Sequence, residues 1–442
     1  DAAIAAQFTA CVVEPVLTSL AGGGFLLAKP AEGVASVLDF LAHSPRERLG
    51  NADSLYAVDA DFGTATQTFH IGPGAIATPG TAAGMFAAHE RYARLPMSEL
   101  VLPAVQAASE GVVVNDFQGG IFDIVRPIYA EGAYAEVQTG THFRQPALAD
   151  SLDSLAQEGE ELFYRGEIGA RLVELCAEGG GHLSRDDLTA YRVIDRAPLV
   201  TRYRAAVLHS NPPPSAGGAL IRHTLKLLEQ GAATPQEIAR ALSATLAARS
   251  SILDDSDQVT RGTTHISVVD GEGNVAAMTL TNGEGSGCLI PGTGIMTNNM
   301  LGEEDIKPAG IDNWQPDRRL GSMMAPTLVL GEGYQAALGS GGSNRIRSAI
   351  VQVLVALLHH QSEPDAAVKR PRLHVEPQLL SLEPGLDAAG FSGLVGVPTE
   401  IQQWDVQSLF FGGVHLVRHF DDGRLDAAGD PRRGGVGRVL GG

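Results

Sequence analysis

The sequence predicts an α+β fold in which helix layers cover both faces of mainly antiparallel sheets. Three observations carry that expectation. Helical apolar spacing dominates the first half of the chain. Beyond residue 260 the pattern switches to short alternating runs joined by Gly-containing turns. One long apolar helical stretch then interrupts that β-rich block. Helices and sheets with one apolar face must bury it against another layer, and helices outside antiparallel sheets satisfy this order.

Taken in order, "DAAIAAQFTACVVEPVLTSL" has helical spacing and stops before "AGGGFLLAKP", where glycines lead into a strand. "GVASVLDF" reads as a second strand and completes a ribbon. Helical patterns follow at about 80–94, 97–111, 147–157 and 166–178. Ser184 in "LSRDDLTAY" reads as an N-cap, since its hydroxyl can accept from a first-turn N–H and acidic residues follow. "AAVLHS" is a strand. "NPPPSAGG" is neither helix nor central strand, because three prolines remove three donors. Helical spacing resumes at about 219–229 and 235–251. "THISVVDGEGNVAAMTLT" and "APTLVLGEGYQAALGSGG" read as hairpins, and "NRIRSAIVQVLVALLHH" as the interposed helix. "QLLSLE" and "FGGVHLVRHFDDGRL" add strands, and 302–320 is a long polar loop.

The chain has 442 residues, 44% hydrophobic and 19% charged, with net charge −19. These are the proportions of a globular protein with a large core. Aromatics make up 5% and glycines number 53, so the interior should be packed from small residues with many tight turns. No Lys/Arg-rich run is present to neutralise phosphates, so a nucleic-acid partner is not expected. Cys11, Cys176 and Cys288 are too few and too scattered for a disulfide framework or a zinc site, and read as small buried hydrophobes. No stretch is long and apolar enough to be a membrane span. The first residues start inside a helical pattern with no initiator Met or signal peptide, so the compartment is left open between cytoplasm and an exported location.

Gly262-Thr263-Thr264 opens the first hairpin. One reading is local: glycine ends a turn and threonine suits a strand. The other is chemical. A threonine hydroxyl is a weak nucleophile and needs a base beside it. If the bond before Thr263 is cut, the new α-amine, with a pKa of about 8, lies on the same residue and can take that proton. A glycine before the bond leaves its carbonyl accessible.

The segments around that hairpin resemble the γ-glutamyltranspeptidase family of N-terminal-nucleophile hydrolases. Thr263 to Asp270, followed by Gly273 and Asn274, matches the family's T-T-H-x-S-V-V-D motif. "GIMTNNM", "GSMMAPTLV" and "GSGGSNRI" resemble three later family segments, and "DAAIAAQFTACVVEP", "GGGFLL", "HLSRDDLTAY", "PPPSAGG" and "AAGDPRRGG" are similar in the same order. The resemblance implies a four-layer αββα sandwich. It also implies one joint domain from a large part, 1–262, and a small part, 263–442, separated by self-cleavage between Gly262 and Thr263. Thr263 then matches the nucleophile, and Thr281 the threonine that hydrogen-bonds its amine. Gly341 and Gly342 match the pair whose N–H groups form the oxyanion hole. Without that match "GSGG" could cradle phosphate, but no Lys follows it.

The substrate-reading positions depart from the family pattern. The family clamps the glutamyl α-carboxylate with an Arg after a D-F pair, whereas Asp39-Phe40 is followed by Leu41, which has no donors. Arg46 or Arg48 could reach in its place. The positions that hold the substrate amine match Met300 and Glu303, and Asn282 matches a family Asn only with a short deletion before Gly283. Of two tandem serines Ser322 remains beside Gly321. The loop after Glu303 is shorter than the family lid. The expectation is a self-processing amidase or acyltransferase with an altered acyl specificity, needing no metal or cofactor. Its partners are a small amide and a water or amine acceptor, and a dimer of the two-piece units is left open. The alternatives are an oxamate-type amidohydrolase or other acylase, and an inactive binding homologue. Outside this set, His359-His360 reads as a helix-end cap, Glu303, Glu304 and Asp305 as a solvated acidic loop rather than a cation site, and "DPRRGG" as a charged turn tying down the C-terminus.

Overall fold

The strand patterns assemble into two large sheets. The computed structural model describes residues 1–442 except 62–65, 130–131, 254–262, 304–313 and 442. Numbered in chain order, the strands of these sheets are β1 (Gly23–Lys29), β2 (Ser36–Phe40), β3 (Ile194–Arg196), β4 (Leu199–Tyr203), β5 (Ala206–Ser210), β6 (Thr264–Val269), β7 (Val275–Thr281), β8 (Thr327–Gly331), β9 (Tyr334–Gly341), β10 (Gly413–Phe420) and β11 (Leu425–Ala428). The first sheet runs β6-β7-β1-β2-β3 and the second β11-β10-β9-β8-β5-β4. Every neighbouring pair in both is antiparallel. Each sheet therefore combines strands from before and after residue 263.

The β6–β7 hairpin forms where alternation and turn chemistry agree. The Asp270 carboxylate accepts from the N–H groups of Glu272 at 3.0 Å and Asn274 at 2.9 Å. Gly273 supplies the φ of +88° that closes the turn.

Alternation then sorts the side chains. Leu26, Leu38, Met278 and Leu280 join a core cluster with helices α1 (Ala2–Val13), α2 (Thr81–Tyr92), α3 (Met97–Glu110) and α4 (Pro146–Glu158). Phe25, Leu27, Val37 and Ala277, on the opposite face, join a second cluster. That cluster includes Leu328, Ala336 and Leu338 of the other sheet and residues of α5 (Ala216–Leu228), α6 (Pro235–Ala247) and α7 (Arg345–Leu358). The architecture is thus mixed α/β on antiparallel sheets. No helix among the described residues is long and apolar enough to cross a membrane.

Several boundaries differ from the sequence reading, each for a local reason. The first helix ends at Val13, not near Leu20, because Pro15 cannot continue it. The helix expected at 219–229 begins at Ala216, directly behind the prolines, where the Ser215 hydroxyl donates to the carbonyls of Ser322 and Met324 at 2.8 and 2.9 Å. The 235–251 pattern divides into α6 and a separate four-residue helix, Arg249–Ile252. Ser184 caps its helix in a reciprocal box with Asp187. The hairpin of Tyr56–Asp61 with Thr66–Ile71 and the helix Asp116–Ile124 had no place in the sequence reading. At the C-terminus, Arg372 pairs with Asp430 and Arg432 with Glu383, all four side chains nearly inaccessible. Through these pairs the charged turn ties the C-terminus into the interior.

Candidate active site

The first hairpin carries Thr263 to one end of the first sheet. Thr264 pairs with Leu280 across β6–β7, and Thr281 with Gly23 across β7–β1. One rung beyond the first pair, Thr263 stands across from Thr281. Strand alternation points both toward the face that meets the second sheet. Thr263 is 1% exposed and Thr281 is fully buried. The Thr281 hydroxyl accepts from the Gly283 N–H at 3.0 Å, which fixes its rotamer where the chain leaves the strand.

The second sheet closes on this end through glycines. A Cβ on Gly339 would lie 2.3 Å from the His265 ring. One on Gly341 would lie 2.1 Å from the Thr263 carbonyl oxygen. Without side chains at these alternate positions, β9 can lie against β6. Gly342 (φ +118°) and Ser343 (φ +54°) then turn the chain into α7. The sequence expected a glycine pair ahead of a positive helix end, and that is where these residues stand.

Between these parts lies a cavity of about 60 Å³. Its polar wall is formed by Gly283, Glu284, Gly342, Ser343, Arg345 and Arg433, and Val16, Leu17, Ile121 and Val125 face them. Arg433 donates to the Thr263 carbonyl and to the Leu409 carbonyl, both at 3.4 Å. Burial, reinforced by neighbouring Arg345, lowers its pKa to about 10. On the opposite side of β6 the Thr264 hydroxyl donates to Glu14 at 2.6 Å. Burial raises the Glu14 pKa, against the opposing effects of Thr264 and Arg433. Below Thr263, His265 shares a hydrogen bond of 2.7 Å with Thr279 and another of 2.7 Å with Ser267. Burial and then His415 hold its pKa well below the usual histidine value, so the ring is neutral.

The residues singled out in the sequence fall into two groups. Thr263, Thr281, Gly341, Gly342 and Asn282 converge at the cavity end, and the Glu303 carboxyl folds in beside Gly283, 2.9 Å from where a Cβ would project. Asn282 reaches the Thr297 carbonyl at 3.5 Å. Leu41 and Met300 do not line the cavity. Both are fully buried in the core cluster that joins the sheets. The Leu41 carbonyl accepts from the Tyr191 hydroxyl at 2.8 Å and from Arg319, and its N–H donates to Asp39 at 3.0 Å. Ser322 is buried too, with its hydroxyl accepting from the Met324 N–H and its carbonyl tied to the start of α5. Arg46 and Arg48 turn elsewhere: Arg46 lies 3.6 Å from Asp317, and Arg48 donates to the Trp314 carbonyl and covers its ring. Gly262, Glu304 and Asp305 lie outside the described residues.

Sequence reasoning missed Arg345, Arg433, Glu284 and Glu14 as neighbours of the site. Arg345 could have been found from its place just behind the glycine pair. Arg433 had no local signal, because only the tertiary fold brings the C-terminal turn under Thr263. The thiols of Cys11 and Cys176 are buried and pushed up to about 12, which leaves them protonated and unreactive.

Comparison with known proteins points one way. The gamma-glutamyltranspeptidase family model matches residues 1–260 and 244–440. A glutathione hydrolase proenzyme of Escherichia coli K12 is 28% identical, over 98% of this chain and 86% of its own length. The acylase ACY 1 proenzyme of Pseudomonas sp. strain SE83 is also 28% identical, over 97% and 87%. Among solved structures, the cephalosporin acylase of Bacillus halodurans superposes with a TM-score of 0.80 over all of this chain and 91% of that one. At 19% identity that likeness speaks for the fold alone.

Proposed function

The chain belongs to the γ-glutamyltranspeptidase family, and on that premise we propose that it is a self-processing amidase or acyltransferase whose nucleophile is Thr263. Its relatives are hydrolases and transferases acting on amide bonds, several of them named proenzymes. The observation that carries the reading is the meeting of Thr263 with Gly341 beside a cavity lined by Gly342. On this reading the core clusters are the contacts of a four-layer αββα sandwich, and the two parts divide before Thr263.

The chemistry follows from the parts. The Thr263 hydroxyl attacks the amide carbonyl while its own α-amine takes the proton. The N–H groups of Gly341 and Gly342 receive the negative charge that develops on the carbonyl oxygen; such donors are worth about 3–4 kcal/mol each in other hydrolases. The protonated amine then gives its proton to the leaving nitrogen, and an ester on Thr263 remains. Water or an acceptor amine resolves that ester. Thr281 orients the amine across the rung. The acyl group is not read as in the family pattern, because Leu41 is sealed in the core where a carboxylate clamp is expected.

A denaturing gel with mass spectrometry tests the reading. The wild type should yield two pieces divided before Thr263, and Thr263→Ala a single inactive chain. An uncut wild-type chain without activity would establish a binding homologue instead.

A further inference from the structure

Cutting the chain before Thr263 turns that residue into the end of a strand. β6 stands at the edge of its sheet, with β7 as its ladder partner among the described residues. That ladder begins with Thr264 opposite Leu280, one residue short of Thr263. Chain ends fray unless something ties them down, because each residue held still gives up backbone entropy. From the C-terminal turn, Arg433 reaches the Thr263 carbonyl only at 3.4 Å.

A shorter hold comes from the other face. Alternation turns Thr264 away from the second sheet, and its hydroxyl donates to the Glu14 carboxylate at 2.6 Å. Glu14 is itself carried on fixed backbone. Its N–H closes α1 by donating to the Ala10 carbonyl at 2.8 Å. Its carbonyl accepts from the N–H groups of Leu17 and Thr18 at 2.9 and 3.2 Å, so the chain is pinned on both sides of Glu14. The charge whose field reaches its carboxylate is that of Arg433. An anion and a cation thus hold two consecutive residues at the start of β6. Glu14 does so from behind, leaving the cavity face of Thr263 open.

We propose that Glu14 is a positioning residue of the mature enzyme, which grips the Thr264 hydroxyl and so keeps the freed end of the chain at Thr263 seated against Gly341. The proposal rests on the self-processing reading above, since only a cut chain has an end to hold. Glu14 acts through Thr264 and touches no reacting atom. It belongs to the part of the chain before the cut and Thr264 to the part after it, so one piece fixes the working end of the other.

The test needs no substrate. The mature protein is exposed to a broad-specificity aminopeptidase, and the mass of the small piece is followed with time. A seated end, with Thr263 only 1% exposed, should resist trimming. Loss of the hydrogen bond predicts that Glu14→Ala and Thr264→Val lose their N-terminal residues roughly tenfold faster. The double variant should be trimmed no faster than either single one, because both remove the same contact. Glu14→Gln keeps an acceptor for the Thr264 hydroxyl and should recover most of the protection, which a general loosening of the fold would not. If Glu14→Ala stays uncut, Thr264→Val against Thr264→Ser, which keeps the donor, carries the comparison. Trimming at the wild-type rate in the variants, or additive effects in the double variant, overturns the anchor while leaving self-processing intact. An uncut wild-type chain overturns the self-processing reading and the anchor with it.

Discussion

Gly341 lies so close to Thr263 that a Cβ at position 341 would stand 2.1 Å from the Thr263 carbonyl oxygen. Strands from two different sheets meet there with no side chain between them. Gly341→Ala should force the strands apart, at a cost of about 1–3 kcal/mol in stability, the usual penalty of overpacking. Because the displaced atom belongs to Thr263, the proposed nucleophile, turnover should fall more steeply than the melting temperature. A variant that melts and turns over like the wild type would show that the contact constrains nothing.

Thr281 separates structure from chemistry in one residue. Thr281→Ser keeps the acceptor for the Gly283 N–H and should retain most stability and activity. Thr281→Val removes it, leaving a buried donor unmatched at a cost of about 1–3 kcal/mol. If Thr281 also orients the Thr263 amine, kcat for the valine variant should drop while KM changes little. Denaturant titration and steady-state kinetics on the pair decide it.

Asp430 is a third point of leverage. Its carboxylate serves Arg372, Arg432 and the Val414 N–H, in a region with almost no solvent access. Asp430→Asn leaves two arginines buried without this partner and should destabilise the chain by about 3–5 kcal/mol. Replacing the exposed Asp365, which pairs with Lys369 on a helix surface, should cost less than about 0.5 kcal/mol. Equal effects in the two variants would contradict the burial argument.

Acid should unfold the protein through its interior histidines. His415 is pushed down to about 4, by burial and by the Arg433 and Arg372 charges against the opposing pull of Asp430. His265 is lowered as well, by burial and by His415. An unfolded histidine takes its proton near 6.5. These refuse theirs until the pH is far lower, so unfolding takes up protons as the pH falls from about 6.5 to about 4 and stability is lost across that window. Each proton contributes a slope of about 1.4 kcal/mol per pH unit. Stability curves for His415→Gln should be shallower by one proton between those limits. An unchanged slope would mean that His415 is protonated in the fold.

The sequence carried most of the scaffold because periodicity and turn chemistry are local. The hairpin from Thr264 to Thr281 was readable from alternation around Asp270 and Gly273. So was the helix behind Gly341-Gly342, whose apolar face needs no tertiary context to be recognised. Pro15 ended the first helix earlier than its apolar spacing implied, since spacing does not record a missing donor. Position was harder than type. Leu41 has no donors for a clamp, yet nothing local said that it would be walled in between sheets. Arg433 was legible as a charge but not as a neighbour of Thr263, because that proximity depends on β10 and β11 returning the C-terminus beneath the first sheet.

Both sheets join a block of strands that precede residue 263 to a block of strands that follow it. A break in the chain at that point therefore severs connectivity without creating separable subunits. The ladder of seven residue pairs between β1 and β7 and the ladder of β5 with β8 would both have to open before either piece could leave. Ordinary subunits part on dilution because their interface forms after each has folded. Here the interface is the interior itself, so a processed molecule should survive any dilution and come apart only by unfolding. Two pieces expressed from separate genes would have to fold in each other's presence to rebuild it.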